Sequence, residues 1–353
     1  MSKAYLTLAC GDVFEGEFIG AACSDAVVGE LVFSTTMVGY LETLTDPSYF
    51  GQVVMQTFPL IGNYGVISED AASERCYCKA YIVRELCQDP SNFRCEGDLD
   101  TFLKEKGITG ICGVDTRAIT RILRKKGTMN CAIAAAPVDP ETLKAYRVEG
   151  GVAAATSAEV SVVGEGDVSV ALMDYGTKKS SIEQLTARGC RVTLYPAGTA
   201  AEDVIAAGHD GIMLSDGPGD PTDNGGMIAE IAKLMAAGKP VFGVGLGHQM
   251  MALSQGAGCV KLPFGHHGAS QPVVVAGSSR VYITSQNHNF AVDSSTLPEG
   301  AKVTYYNAND KSCEGAEYAN GAFGVQFTPD TNDGPQNSGF LFDRFVTMMK
   351  EGK

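Results

Sequence analysis

A chain of 353 residues is long enough for two domains with ample buried core, and 44% hydrophobic with 19% charged residues is the balance of a globular protein in water. Its formal net charge of −14 disfavours a nucleic-acid or anionic-membrane partner. No apolar run follows Met1-Ser2-Lys3 and none reaches spanning length, so neither a signal peptide nor a membrane helix is expected.

The 11 cysteines are odd in number and form no C-x-x-C pair, which points to reduced thiols and a cytoplasmic location. Cys76 and Cys78 are the one close pair; if they lay on a strand they would point the same way. Without a second His/Cys cluster they read as core or surface thiols rather than zinc ligands.

From Tyr5 to about Cys131, short apolar or alternating runs such as GELVFSTTMV and GQVVMQTFPL are separated by Gly, Pro, Asp and Asn. That pattern predicts a strand-rich domain with a few helices. The clearest helix lies in GVDTRAITRILRKKG, where Ala118, Ile119, Ile122 and Leu123 recur at helical spacing. Asp115 is placed to cap its start and Gly127 to end it. Arg124, Lys125 and Lys126 then fall in the last turn, where positive charge complements the helix dipole.

Residues 148–166 are rich in Gly, Ala, Ser and Glu and carry no strong period, as expected of a linker between domains at 1–147 and 167–353. Beyond it, apolar strands (VSVALMDY, CRVTLYP, GIMLSDGP, KPVFGVGL) alternate with helices in KKSSIEQLTARG and GGMIAEIAKLMAAG. This alternation predicts an α/β fold whose mainly parallel sheet is covered by helices on both faces. Antiparallel strands and a helix around Phe340 to Met349 complete the chain. Ligands of such sheets bind outside the carboxyl ends of the strands, where DGPGDP and the stretch after KPVFGV both fall.

That stretch, Lys239 to Leu253 (KPVFGVGLGHQMMAL), reads as a buried strand, a tight glycine turn and a helix, the form of a nucleophile elbow. Gly243 and Gly247 are the small neighbours such a turn needs, and the apex between them is Gly245. Glycine adopts positive φ without penalty but carries no nucleophile. A dinucleotide-binding loop fits poorly, because the spacing is G-x-G-x-G rather than G-x-G-x-x-G, and His267 stands where the acidic residue would be.

Together these segments resemble the family of small, glutamine-hydrolysing subunits of carbamoyl phosphate synthetase. The resemblance spans nearly the whole chain. It rests on GYLETLTDPSY, PLIGNYG and GVDTRAITRILRKKG in the first part, and on DYGTKKS, SDGPGDP, FGVGLGHQ, FGHHG and SQNHNFAV in the second. It implies a small-subunit N-terminal domain followed by a class I glutamine amidotransferase-like domain. In that family an elbow cysteine attacks the glutamine side-chain amide, a histidine serves as base and acid, and a glutamate orients the histidine.

Here the cysteine position is Gly245. The histidine-proline-glutamate motif aligns with VQFTPDT, which puts Thr328 at the histidine and Asp330 at the glutamate. The resemblance further assigns Gly219 and Leu246 as oxyanion-hole N–H donors. Thr36, Gly217, Gln249, Asn287 and Phe290 match glutamine-contacting positions. Thr36 replaces the usual serine and Asn289 the usual glycine, so the pocket is expected to be degraded as well as the triad.

No substitute nucleophile is evident: Cys259 is expected far from the apex, Ser254 late on the elbow helix, and Thr328 without a histidine beside it. His266 and His267 are adjacent, so on a strand they face opposite ways and make a poor metal pair. The expectation is a small subunit without its own glutaminase chemistry, bound to a large subunit that makes carbamoyl phosphate from ammonia for arginine or pyrimidine synthesis. The chain itself would carry no cofactor or metal, ATP and metal ion belonging to the large subunit, and its glutamine binding is doubtful. Alternatives are an amidotransferase using unconventional residues, or a glutamine-sensing or structural protein outside the complex.

Overall fold

In the computed structural model, which describes residues 2–330 and 338–352, the chain divides into two units. One comprises Met1–Glu149 and Pro263–Gly268; the other comprises Gly150–Leu262 and Ala269–Lys353.

The strand-rich character expected of the first unit takes the form of a closed seven-stranded barrel, whose order is Lys3–Leu8, Val13–Gly20, Thr109–Cys112, Ala80–Ile82, Gln52–Gln56, Val27–Ser34 and Met129–Ala134. Closure leaves no free edge in that sheet. Alternating residues split its apolar side chains into two clusters. Leu6, Leu8, Leu31, Val53, Met55, Ile111 and Ile133 pack with Ile119 and Leu123 of the helix Thr116–Lys126. Val32, Val54 and Tyr81 pack against Leu41, Leu44, Leu99 and Leu103 from the helices Tyr40–Thr45 and Leu99–Glu105.

The helix Thr116–Lys126 forms as its sequence predicts: Asp115 accepts a capping bond from the Ala118 amide at 2.9 Å, and Gly127 ends it at φ +89°. Cys76 and Cys78 lie in the loop before Ala80–Ile82, not on a strand, because pairing to Gln52–Gln56 begins only at Ala80. Cys78 is buried, and all 11 thiols are free.

The second unit holds a ten-stranded sheet. Five strands, ordered Cys190–Pro196, Val168–Asp174, Gly211–Leu214, Val241–Val244 and Phe323–Val325, run parallel. Antiparallel strands extend them: Ser161–Val163 at one edge, and Cys313–Glu317, Val281–Asp293, Gly258–Val275 and Lys302–Asn307 at the other. The stretch 148–166, read as linker from composition, therefore contains an edge strand as well as a short helix, Gly151–Ala155. Residues 263–268, within FGHHG and its preceding proline, group with the first unit, where the Thr128 amide donates to the Pro263 carbonyl at 2.7 Å.

Period-two alternation places side chains on both faces of the parallel core, as sequences of doubly covered strands require. Ala171, Met173, Ile212, Leu214 and Val241 meet the helices Gly225–Ala236 and Leu246–Ser254. Val170, Leu172, Met213, Phe242 and Val244 meet Lys179–Thr186 and Phe340–Glu351. Phe242 stacks on Phe323 at 4.6 Å and meets Phe342 edge-on at 5.7 Å. Aromatic pairs of this kind contribute about 0.5–1.5 kcal/mol each beyond their buried area, so the strand leading to Gly245 is firmly held.

Candidate functional site at the glycine elbow

Val241–Val244 ends at Gly245, whose backbone is at φ +52° and ψ −115°, and Leu246 starts the helix. The turn is fixed on three sides. The Gly245 amide donates to the Val325 carbonyl at 2.9 Å, its own carbonyl accepts from the Gln249 amide at 3.1 Å, and the Gly247 amide donates to Ser215 O at 3.0 Å. A Cβ at Gly247 would stand 2.4 Å from the Leu214 carbonyl oxygen, which is why that neighbour has no side chain. The strand, turn and helix of an elbow are thus all present.

What occupies the space above the apex is a carboxylate. Asp216, at the carboxyl end of Gly211–Leu214, accepts from the Leu246 amide at 3.0 Å and the Gly217 amide at 2.8 Å, both through Oδ1. A Cβ on Gly245 would lie 1.9 Å from that same oxygen. The Lys178 ammonium stands 3.6 Å from Asp216 Oδ2, and the two side chains are only 8% and 10% exposed. Leu246, assigned as an oxyanion donor, therefore already has an acceptor. Gly219, the other assigned donor, is at φ +94° in the loop between Asp216 and Asp220.

Thr328 and Asp330 are brought to the same region by the chain that follows Phe323–Val325, and both are buried. The Thr328 amide donates to Ser285 O at 2.9 Å, while its hydroxyl accepts from Lys178 Nζ at 2.9 Å. Asp330 accepts from Ser180 Oγ at 2.8 Å and Ser181 Oγ at 2.6 Å, both in the first turn of Lys179–Thr186. The carboxylate that would orient an imidazole is thus held by hydroxyls, and Lys178 links the Thr328 position to Asp216. Sequence reasoning quoted DYGTKKS and SDGPGDP without singling out Lys178 or Asp216. The available signal was an opposite-charge pair at the carboxyl ends of neighbouring strands beside the elbow.

Among the pocket positions, Gln249 is turned inward: its Nε2 donates to Phe290 O at 2.7 Å and Gln326 Oε1 at 2.9 Å. Asn289 is buried and Asn287 partly so, on the strand Val281–Asp293 that also carries Phe290. Thr36 belongs to the first unit, where its hydroxyl is 2.6 Å from Ser34 Oγ. Cys259 packs with its Sγ 4.0 Å from the Gln249 carbonyl, four residues along the elbow helix from the apex. Burial pushes its thiol up to about 12, which leaves almost no thiolate at neutral pH. Ser254 is spent on the Met251 carbonyl at 2.7 Å.

His248 is fully buried behind the elbow, with no hydrogen-bond partner at either ring nitrogen, and desolvation pulls it from 6.5 down to about 4. The fold accepts the neutral ring, whereas the unfolded chain takes up a proton near pH 6.5. Stability contributed by this group is therefore present above that value and lost as pH falls towards 4, by about 3 kcal/mol at 1.36 kcal/mol per unit. We expect urea midpoints to drop between pH 7 and pH 4.5 and His248→Met to reduce that drop; equal pH slopes would contradict the assignment.

Comparison with known proteins defines the class first. Residues 171–348 match the family described as glutamine amidotransferase class-I, and residues 6–133 match the carbamoyl-phosphate synthase small chain, CPSase domain. Relatives named carbamoyl phosphate synthase small chain include that of Clostridium perfringens, 43% identical over 98% of this chain and 99% of its own. That of Listeria innocua is 43% identical over 99% and 97%, and that of Archaeoglobus fulgidus is 43% identical over 99% of each. The chain belongs to the carbamoyl phosphate synthase small chain family. Among the described residues, no helix is long and apolar enough to cross a membrane.

Proposed function

We propose that this chain is a small subunit that has lost its own glutaminase chemistry and supports ammonia-dependent carbamoyl phosphate synthesis by a large subunit. The observation that carries this reading is the elbow apex: Gly245 offers no nucleophile, and the Asp216 carboxylate fills the position its side chain would need. Thr328 and Asp330 support it, since an aliphatic hydroxyl held by an ammonium neither takes a proton from a nucleophile nor returns one to departing ammonia. In this reading the product feeds arginine or pyrimidine synthesis in the cytoplasm. ATP and its metal ion belong to the large subunit in this reading, which assigns no cofactor to this chain. The buried Asn289 at a glycine position favours weak glutamine binding.

With catalysis gone, association is the remaining role, and a stable heterodimer of this type buries well over ~1,000 Å². The cognate large chain, mixed with this protein at micromolar concentration, should elute with it as one species on size exclusion. Two separate peaks would contradict the subunit reading and favour a sensor or structural protein outside the complex.

One observation favours a second reading, an amidotransferase using unconventional residues: Thr328 Oγ1 lies 2.9 Å from Lys178 Nζ, within reach for a hydroxyl–lysine pair. Against it stands the carboxylate of Asp216 beside the same ammonium, which favours the charged donor over the neutral base. Glutamate release abolished by Thr328→Val would establish this second reading.

A further inference from the structure

An oxyanion hole is a pair of fixed donors aimed at charge that appears only during reaction, and it works because nothing occupies it beforehand. In this chain a permanent anion already takes one of the two donors assigned to that role, the Leu246 amide. Asp216 Oδ1 takes the Leu246 amide at the start of a nine-residue helix together with its neighbouring amide at Gly217, and Oδ2 faces Lys178. A carboxylate with these partners is well matched: the helix N-terminus favours negative charge, and a buried charge persists only when paired and hydrogen-bonded. Lys178 is oriented in turn by Thr328 Oγ1, so the residue at the former base position steers the counter-ion of the plug.

We propose that Asp216 is an internal anion that closes the elbow, standing where the oxyanion of an acyl-transfer intermediate would form and holding the elbow, Lys178 and Thr328 together. This rests on the reading of the elbow as chemically vacant and deepens it. Two consequences follow from the geometry: a glutamine carbonyl cannot reach the Leu246 amide, and a side chain at residue 245 cannot coexist with Asp216 in its present place. Asp216 is thus a positioning residue, and the class of ligand its removal would admit is a small carboxylate.

The test uses the full-length protein and thermal melting. Asp216→Ala takes the carboxylate away from Lys178 and two amides, and losses from breaking a buried pair correspond to a fall in Tm of roughly 6 °C or more. Sodium formate at tens of millimolar should raise the Tm of Asp216→Ala saturably, without a matching rise in the parent protein or with formamide at equal ionic strength. No fall in Tm, or equal formate effects on both proteins, would overturn the proposal.

A second measurement needs no Asp216 variant. Gly238 has φ +71° with open space around its Cβ direction, so Gly238→Ala reports the cost of a side chain at positive φ with no atom in its way. Gly245→Ala should lower Tm by several degrees more than Gly238→Ala, and parity would overturn the proposal even if Asp216→Ala does not fold. Glutamate release by the parent protein would instead sink the functional reading beneath it.

Discussion

Incubated with glutamine, alone or with its large chain, the purified protein should release glutamate at no more than the background rate. The expected deficit is on the order of 10⁶ in kcat, since nucleophile and base act as a unit and losing either costs nearly as much as losing both. That corresponds to about 8 kcal/mol of barrier. Three observations support this expectation: the apex bears hydrogen, the Cys259 thiol is raised to about 12, and the Thr328 hydroxyl faces an ammonium. Coupled detection of glutamate checks this, and ordinary turnover sensitive to Thr328→Val would contradict it.

Reinstalling the missing cysteine should fail, and should damage the fold as well. Gly245→Cys puts a Cβ at φ +52°, where glycine is favoured, and 1.9 Å from Asp216 Oδ1. The carboxylate has to abandon two amides and Lys178 to make room, which costs several kcal/mol by the usual scale for broken buried pairs. Adding Thr328→His supplies an imidazole but leaves the displaced Asp216 carboxylate beside the elbow and Asp330 bonded to Ser180 and Ser181. The triple variant with Asp216→Ala supplies the thiol and the imidazole and removes the carboxylate, with Asp330 still held by Ser180 and Ser181. We expect it to exceed the summed rates of the component variants by at least ~10²-fold, the scale of a recovered oxyanion donor. Simple additivity would count against the triad positions assigned to Gly245 and Thr328.

Much of this was legible in the sequence, for reasons that lie in local chemistry. Apolar runs such as VSVALMDY that alternate with amphipathic helices fit strands buried on both faces, and Asp115 with Gly127 bracket a helix whose ends the structure reproduces. The elbow was readable because Gly243 and Gly247 must be small whatever stands at the apex. The closed barrel was not, since closure depends on which strand edges meet, here Lys3–Leu8 with Met129–Ala134 across more than a hundred residues. Nor was the attachment of 263–268 to the first unit, which is set by long-range bonds such as Thr128 to Pro263.

Asp216 and Lys178 escaped for a related reason. Each lies in a motif that fits the family, and their significance appears only when the ends of separate strands converge on Gly245. An aspartate next to a glycine is commonplace in a loop. A carboxylate on the amide that begins the elbow helix is a statement about three dimensions.

The most direct test of the central claim is the nitrogen donor used by the reconstituted complex. Carbamoyl phosphate formed from bicarbonate and ATP should be supported by ammonium and remain at the no-donor baseline with glutamine alone. Equal product formation from glutamine, with one glutamate released per carbamoyl phosphate, would contradict the account.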